Sequence, residues 1–226
     1  DLVVRPIPAD PPDYSAVDSG YVAVEYRYFK LYIIDIVVVK NKIYNKTIFL
    51  NIKKNEKINI NRKARELELR EIEGEGPYVL LDGPLTPYVG WTDRPIVGVS
   101  KDPVAPRYGR ALGGEAGEWF EEISALASEL YAAELLLRGE PYGAMLKPVK
   151  VSGLRGTYVK GDSVFYVEFP GHVPEEVVAS FFRHGYPVKL RIAHKYARIT
   201  REYLNTVKTI LPRLLGGASN RYRDYL

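Results

Sequence analysis

Hydrophobic positions in this chain fall in short, dense runs separated by glycine, proline and charged residues. The longest such region, SAVDSGYVAVEYRYFKLYIIDIVVVKNKIYNKTIFLNIK (15–53), is rich in Val, Ile, Tyr and Phe and alternates only in part. It predicts two or three long antiparallel strands with one face buried, broken near Glu25 and at Lys40-Asn41-Lys42. Residues 61–73, NRKARELELREIE, are strong helix formers, with Asn61 as N-cap and Gly74-Glu75-Gly76-Pro77 as the stop. YVLLD (78–82) then runs apolar up to its last residue, as a central strand covered on both faces does. PIVGVS (95–100) is a second strand of that kind and ends at Lys101.

Beyond it the pattern changes. Residues 102–117 are rich in Pro and Gly and read as a loop, and Glu118 to Arg138 read as one helix stopped by Gly139. GTYVKGDSVFYVEF predicts a hairpin turning at Lys160-Gly161-Asp162. Pro174 opens a short helix to about Arg183, and residues 190–226 form a basic, largely helical C-terminal region. Residues 1–14, with four prolines, are an extended lead-in. The order of strands and helices predicts one α/β domain over 1–226 with a mixed sheet. There is no GxGxxG, P-loop, GxSxG or HExxH motif.

Composition narrows the chemistry. The absence of cysteine excludes disulfides, thiolate metal sites and cysteine nucleophiles, and leads us to expect a cytoplasmic protein. No apolar run reaches the roughly 20 residues that span a bilayer, and the N-terminus has no basic region followed by an apolar core, so no signal peptide is expected. The net charge of +4 is unevenly spread: residues 21–65 carry eleven Lys/Arg against three Asp/Glu, 66–145 six against fifteen, and 146–226 fourteen against six. Two basic stretches around an acidic middle suit a polyanion such as nucleic acid, with solvated surface charge as the plain alternative.

YVLLDGPL raises the main question, because a buried-type strand ends there in a carboxylate. Asp82-Gly83 reads equally as a common turn or as a strand that presents a ligand. Asp18, in the small-residue stretch AVDSG ahead of a strongly β segment, is its counterpart. Two neighbouring carboxylates repel unless a cation neutralises them, and hard oxygen donors suit Mg²⁺ or Mn²⁺. Glu66, Glu68, Glu71 and Glu73 of the preceding helix are candidates for a third, and periodicity alone does not choose among them.

In order, the blocks AVDSGYVAVEYRYFKLYIIDIVVV, ELELREI, YVLLDGPL, VGVSK and GYPVKLRIAHKYARIT resemble those of the NurA nucleases, from about residue 15 to 205. These are prokaryotic, mostly archaeal, DNA-end-processing enzymes with an RNase H-like core that work with the HerA hexameric translocase. The resemblance implies that Asp18, Glu66 and Asp82 bind a divalent metal, with Glu68 as the rival to Glu66. Lys101 and His194 would line the same catalytic site, His194 as a further ligand or a proton donor. Tyr186 is then a candidate for base stacking, and Lys189, Arg191, Lys195 and Arg198 for phosphate contacts. Two departures stand out: Asp-Ser-Gly replaces the usual Asp-Gly-Ser/Gly, and Asp-Gly-Pro-Leu replaces Asp-Gly-Ser-Leu. The chain is also short for the pattern, with about a dozen residues between Asp82 and VGVSK.

What the resemblance implies is a Mn²⁺- or Mg²⁺-dependent deoxyribonuclease, a 5′-to-3′ exonuclease with single-strand endonuclease activity. It would act in double-strand-break end resection as a homodimer with a HerA-like ATPase. A DNA-binding adaptor of the translocase that has lost activity, and an RNase H-like nuclease for RNA or junctions, are the alternatives.

Overall fold

In the computed structural model, the described residues are 2–7, 9–26, 28–72, 76–88, 90, 94–101, 103 and 106–215, with backbone alone for 212–215. Glu73, residues 74 and 75 of the helix stop, positions 102, 104 and 105 of the expected loop, and the C-terminal residues 216–226 lie outside that set. The elements run β1 (Val3–Val4), β2 (Tyr14–Glu25), β3 (Phe29–Val39), β4 (Ile43–Lys53), α1 (Ile60–Glu71), β5 (Tyr78–Asp82), β6 (Ile96–Ser100), α2 (Tyr108–Leu112), α3 (Gly114–Leu126) and α4 (Glu129–Leu136). They continue with β7 (Met145–Leu146), β8 (Val149–Val151), β9 (Leu154–Lys160), β10 (Val164–Phe169), α5 (Glu175–Phe181), α6 (Val188–Tyr196) and α7 (Arg201–Leu215).

The ten strands form one mixed sheet flanked by helices, in the order β1-β7-β9-β10-β6-β5-β2-β3-β4, with β8 paired to β9. β5 and β6 are parallel, whereas β6–β10, β10–β9 and β3–β4 are antiparallel. This is the α/β mixed-sheet class that the order of elements predicts. Chain contacts divide it into two compact units, Asp1–Ala16 with Gly74–Arg191, and Val17–Glu73 with Ile192–Leu226.

In the first unit, α2, α3 and α4 pack Tyr108, Phe120, Ala132, Ala133 and Leu137 onto Tyr158 and Tyr166 of the β9–β10 hairpin. Two helices replace the single one expected at 118–138. Ser128 interrupts it, because its side chain accepts from the Tyr131 amide and starts α4 afresh. The expected loop at 102–117 holds α2 and the first turn of α3.

In the second unit, β3 pairs with β4 over eleven residues, from Phe29↔Lys53 to Val39↔Ile43. β3 is buried from Leu31 onward on both faces, unlike the half-buried strand expected. β4 takes the exposed edge, where Ile43, Tyr44 and Phe49 face solvent. Asp35 inside buried β3 is satisfied by the hydroxyl of Thr47, its cross-strand partner. Val24, Tyr26, Leu31 and Ile33 form a cluster that Ile199, Leu204, Val207 and Leu211 cover. α1 begins at Ile60, because Asn59, two residues before the expected Asn61, is the cap and accepts from the Arg62 amide.

Candidate active site

In the first unit, Asp82 ends β5, in register with Val99 of parallel β6. Paired residues share a face of a sheet and alternate residues along a strand return to it. Lys101, two positions past Val99, therefore lies on the Asp82 side, and its Nζ is 3.6 Å from Asp82 Oδ2. The Asp-Gly pair is indeed a turn: Gly83 has φ +101°, which costs glycine nothing, and its amide donates to Val99 O at 2.8 Å. Turn and presented carboxylate are thus the same feature. Gly98 of β6 explains the close fit, since a Cβ there would lie 2.7 Å from Gly83 O and 2.8 Å from Leu85 Cγ.

The turn is fastened from beneath by Glu168 of β10, which is fully buried. Its Oε2 accepts from the amides of Leu85 and Thr86, both at 2.7 Å. Its Oε1 accepts from the Thr86 hydroxyl and from Arg107 Nη1, the latter at 2.9 Å. A second buried acid, Glu129, accepts from the amides of Arg107 and Gly109 and from the Tyr158 hydroxyl. Burial, with the Glu129 charge beside them, pushes the Tyr108 and Tyr158 phenols well above their ordinary range, so both stay neutral. Sequence reading passed over Glu168 as part of an apolar hairpin. Its signal was available: an acid inside VFYVEF, in a strand that buries every residue, needs donors.

In the second unit, Asp18 lies within β2 and not in a turn before it, and only 12% of its side chain is exposed. His194 Nδ1 is 2.9 Å from Asp18 Oδ2, bringing together residues 176 apart in sequence. The contact lies between a carboxylate oxygen and a ring nitrogen, whose donor and acceptor roles follow the His194 tautomer. The Ser19 amide donates to Asp18 Oδ1 at 2.8 Å. The Asp-Ser-Gly order has its own reason: a Cβ at position 20 would sit 2.1 Å from the Ala197 carbonyl oxygen just past α6, so that approach needs Gly20.

The acid that α1 brings beside Asp18 is Glu68. It accepts from Ser19 Oγ and, at 2.5 Å, from Arg65 Nη1, and it is 3% exposed. Glu66 points elsewhere, pairing with Lys63 at 2.9 Å and Arg62 at 3.8 Å with a third of its side chain exposed. Helical geometry separates the two by 200°, and the buried positions 64, 65, 67 and 68 define the inward stripe. Reading that stripe from Ala64 and Leu67 would have selected Glu68.

The other candidates divide. Tyr186 is buried at 5% exposure, packs on Phe165 and carries Lys101 Nζ over its ring at 5.0 Å, so it is a core residue and not an exposed stacking platform. Lys189 is tied to Tyr14 O at 2.6 Å and to Asp13, and Arg191 to Asp162 at 2.6 Å. Lys195 and Arg198 are exposed.

The family comparison fits this arrangement. The family model for the NurA domain matches residues 12–199. Among solved structures, the NurA nuclease from Sulfolobus solfataricus is 14% identical with a TM-score of 0.62, over 93% of this chain and 86% of that one. A second NurA structure is 10% identical with a TM-score of 0.59, over 91% and 90%. A search of curated proteins finds no match. The class is that of a nuclease, a phosphodiester hydrolase. Within it, the chain belongs to the NurA family.

Proposed function

We propose that this nuclease cuts DNA with the help of a divalent cation, Mn²⁺ or Mg²⁺, held by Asp18, Asp82 and His194. The observation that carries the reading is the Asp18–His194 contact at 2.9 Å, since it joins the acid of the family's first block to the histidine of its last. The donors are of a kind that fits such an ion: two carboxylates and an imidazole, with no sulfur, suit a hard or borderline divalent cation. Bound there, the ion would polarise the scissile phosphate and offset the charge that builds up on it. The protein's own groups do the rest. Lys101 adds positive charge beside Asp82, where a phosphate would otherwise be repelled. Asp18 orients the His194 ring through its contact with Nδ1. Glu68, rather than Glu66, is the third acid of the reading: through Ser19 it holds the strand at Asp18.

The finer activity follows the family: 5′-to-3′ exonuclease action with single-strand endonuclease cutting, in resection of DNA ends. The chain would work as a homodimer fed by a HerA-type translocase, which would supply the strand separation that a chain without a P-loop cannot. Lys195 and Arg198, exposed on and just after α6, are the phosphate contacts of this reading.

End-labelled oligonucleotides, digested in Mn²⁺ by wild type and by Asp82→Asn, test it. Wild type releases the label from 5′-labelled DNA as a short product, and the variant loses more than roughly a hundredfold of that rate, beyond the usual loss from removing an outer-shell partner. Equal digestion by both, or by neither with the translocase present, sinks the reading in favour of an adaptor. Faster cutting of RNA or branched substrates would move it to another nuclease class.

A further inference from the structure

We propose that Glu168 is a positioning residue for the active site, setting the Asp82 carboxylate from the opposite face of the sheet. The inference rests on the reading that Asp82 is a metal ligand. The register is the starting point. Leu81, Gly98 and Glu168 form one cross-strand row, and Asp82, Val99 and Val167 the next. Adjacent rows point to opposite faces, so Glu168 and Asp82 lie on opposite sides of the sheet. Nothing in their own strands links them. The link is the turn after Asp82, which crosses from one face to the other over the bare backbone of Gly98.

A fully buried carboxylate persists only where donors replace its water. Among the described residues Glu168 has four, and three of them belong to the turn: the Leu85 amide, the Thr86 amide and the Thr86 hydroxyl. Two successive main-chain amides converging on one oxygen make a small anion-binding nest, here filled by the protein's own side chain. The charge of Glu168 therefore fixes backbone two and three residues beyond the Asp82–Gly83 peptide. Pro84 restricts the intervening backbone, so little slack remains in the linkage. The fourth donor, Arg107, follows Lys101 on the segment that leaves β6, and Glu129 holds its amide. Arg107 and the turn after Asp82 thus share one buried anion.

The competing account is a staple that adds stability and nothing else. Direct Mn²⁺ affinity, followed by the electron paramagnetic resonance of free Mn²⁺, separates the two when read beside the metal-free melting temperature. The chain is compared with Glu168→Gln, Thr86→Val, Thr86→Ser, Asp82→Asn and Thr157→Val. The last removes a buried hydrogen bond to Leu146 O, away from the turn. We expect Glu168→Gln to weaken Mn²⁺ binding about ten- to hundredfold, the range for outer-shell partners. Thr86→Val should weaken it severalfold, Thr86→Ser should restore it, and Thr157→Val should lower the melting temperature alone. If Glu168→Gln does not fold, the Thr86 pair decides. Wild-type affinity in Glu168→Gln and Thr86→Val, with binding lost in Asp82→Asn, overturns the positioning role and leaves the metal reading standing. Wild-type affinity in Asp82→Asn overturns the metal reading, and the positioning role falls with it.

Discussion

Asp18, inside a strand of one unit, and Asp82, at the end of a strand of the other, are each backed by a buried glutamate that grips the residues just after it. The grips differ in the atoms used. Glu68 reaches the strand at Asp18 through a side chain, the Ser19 hydroxyl, and leans on Arg65 from its own helix. Glu168 reaches the turn beyond Asp82 mainly through main-chain amides, which no side-chain substitution removes. Glycine serves both places, for one reason. Gly20 lets the Ala197 carbonyl approach β2, and Gly98 lets the Asp82 turn lie on β6. Two strand contexts have thus reached one design, an acid whose backbone is held by a second acid that water does not reach. The side-chain version is the more exposed to mutation.

The strongest way to break the comparison is to remove Glu68. Glu68→Gln removes the carboxylate that accepts from buried Arg65 and from Ser19, and we expect a loss of about 3–5 kcal/mol in denaturant unfolding. Glu66→Gln, two residues away on the half-exposed side, should cost roughly 0.2–1 kcal/mol, as exposed ion pairs do. Equal losses would put the inward stripe of α1 in the wrong place.

Next come the two glycines. Gly20→Ala places a Cβ 2.1 Å from a backbone oxygen, and should cost about 3 kcal/mol of overpacking. For a chain of this length that is a fall of about 6–12 °C in melting temperature. Gly98→Ala, with its nearest backbone oxygen at 2.7 Å, should cost about 2 kcal/mol, near 4–8 °C. The reverse order would mean that the Asp82 turn is the stiffer of the two.

Ser19→Ala tests the difference in grip. Losing a hydroxyl donor to a buried charge should cost about 2 kcal/mol, whereas Thr86→Val, with two amides and Arg107 still on Glu168, should cost about 1 kcal/mol. Similar values from urea unfolding would remove the distinction between side-chain and main-chain anchoring.

The smallest effect is at the surface, and it sharpens the contrast with the buried acids. Glu140 is held below its ordinary pKa, chiefly by the hydrogen bond from Arg5, whose charge acts in the same direction. A depressed carboxyl stabilises the fold above its unfolded value near 4.5 and loses that contribution as pH falls through the folded value. Wild type should therefore melt slightly above Arg5→Ala at pH 7, and the gap should close below the carboxylate range. A gap that persists in acid would show that Arg5 acts by packing instead.

Much of the fold was legible locally. Dense β-branched and aromatic runs gave the strands, Lys40-Asn41-Lys42 and Gly161-Asp162 the turns, and the helix-forming run after residue 60 gave α1. Where the sequence reading slipped, a local rule lost to a tertiary one. One side-chain cap, Ser128, divided a helix that composition ran together. Tyr186, a stacking candidate whose neighbour Pro187 favoured packing equally, packs on Phe165, which lies 21 residues earlier on β10. The resemblance of their blocks singled out Asp18, Asp82, Lys101 and His194, and the structure places His194 against Asp18 and Lys101 against Asp82.

By itself, the sequence determined the α/β class, the acid that closes an apolar strand and the need for glycine after it, since these depend on propensity and on backbone sterics over a few residues. Which glutamate stands beside Asp18, why glycine sits at 20 and 98, and what Glu168 is for were decided only by the tertiary structure. Those answers depend on distances between segments far apart in the chain. A buried charge also reveals its purpose only once its donors are in place.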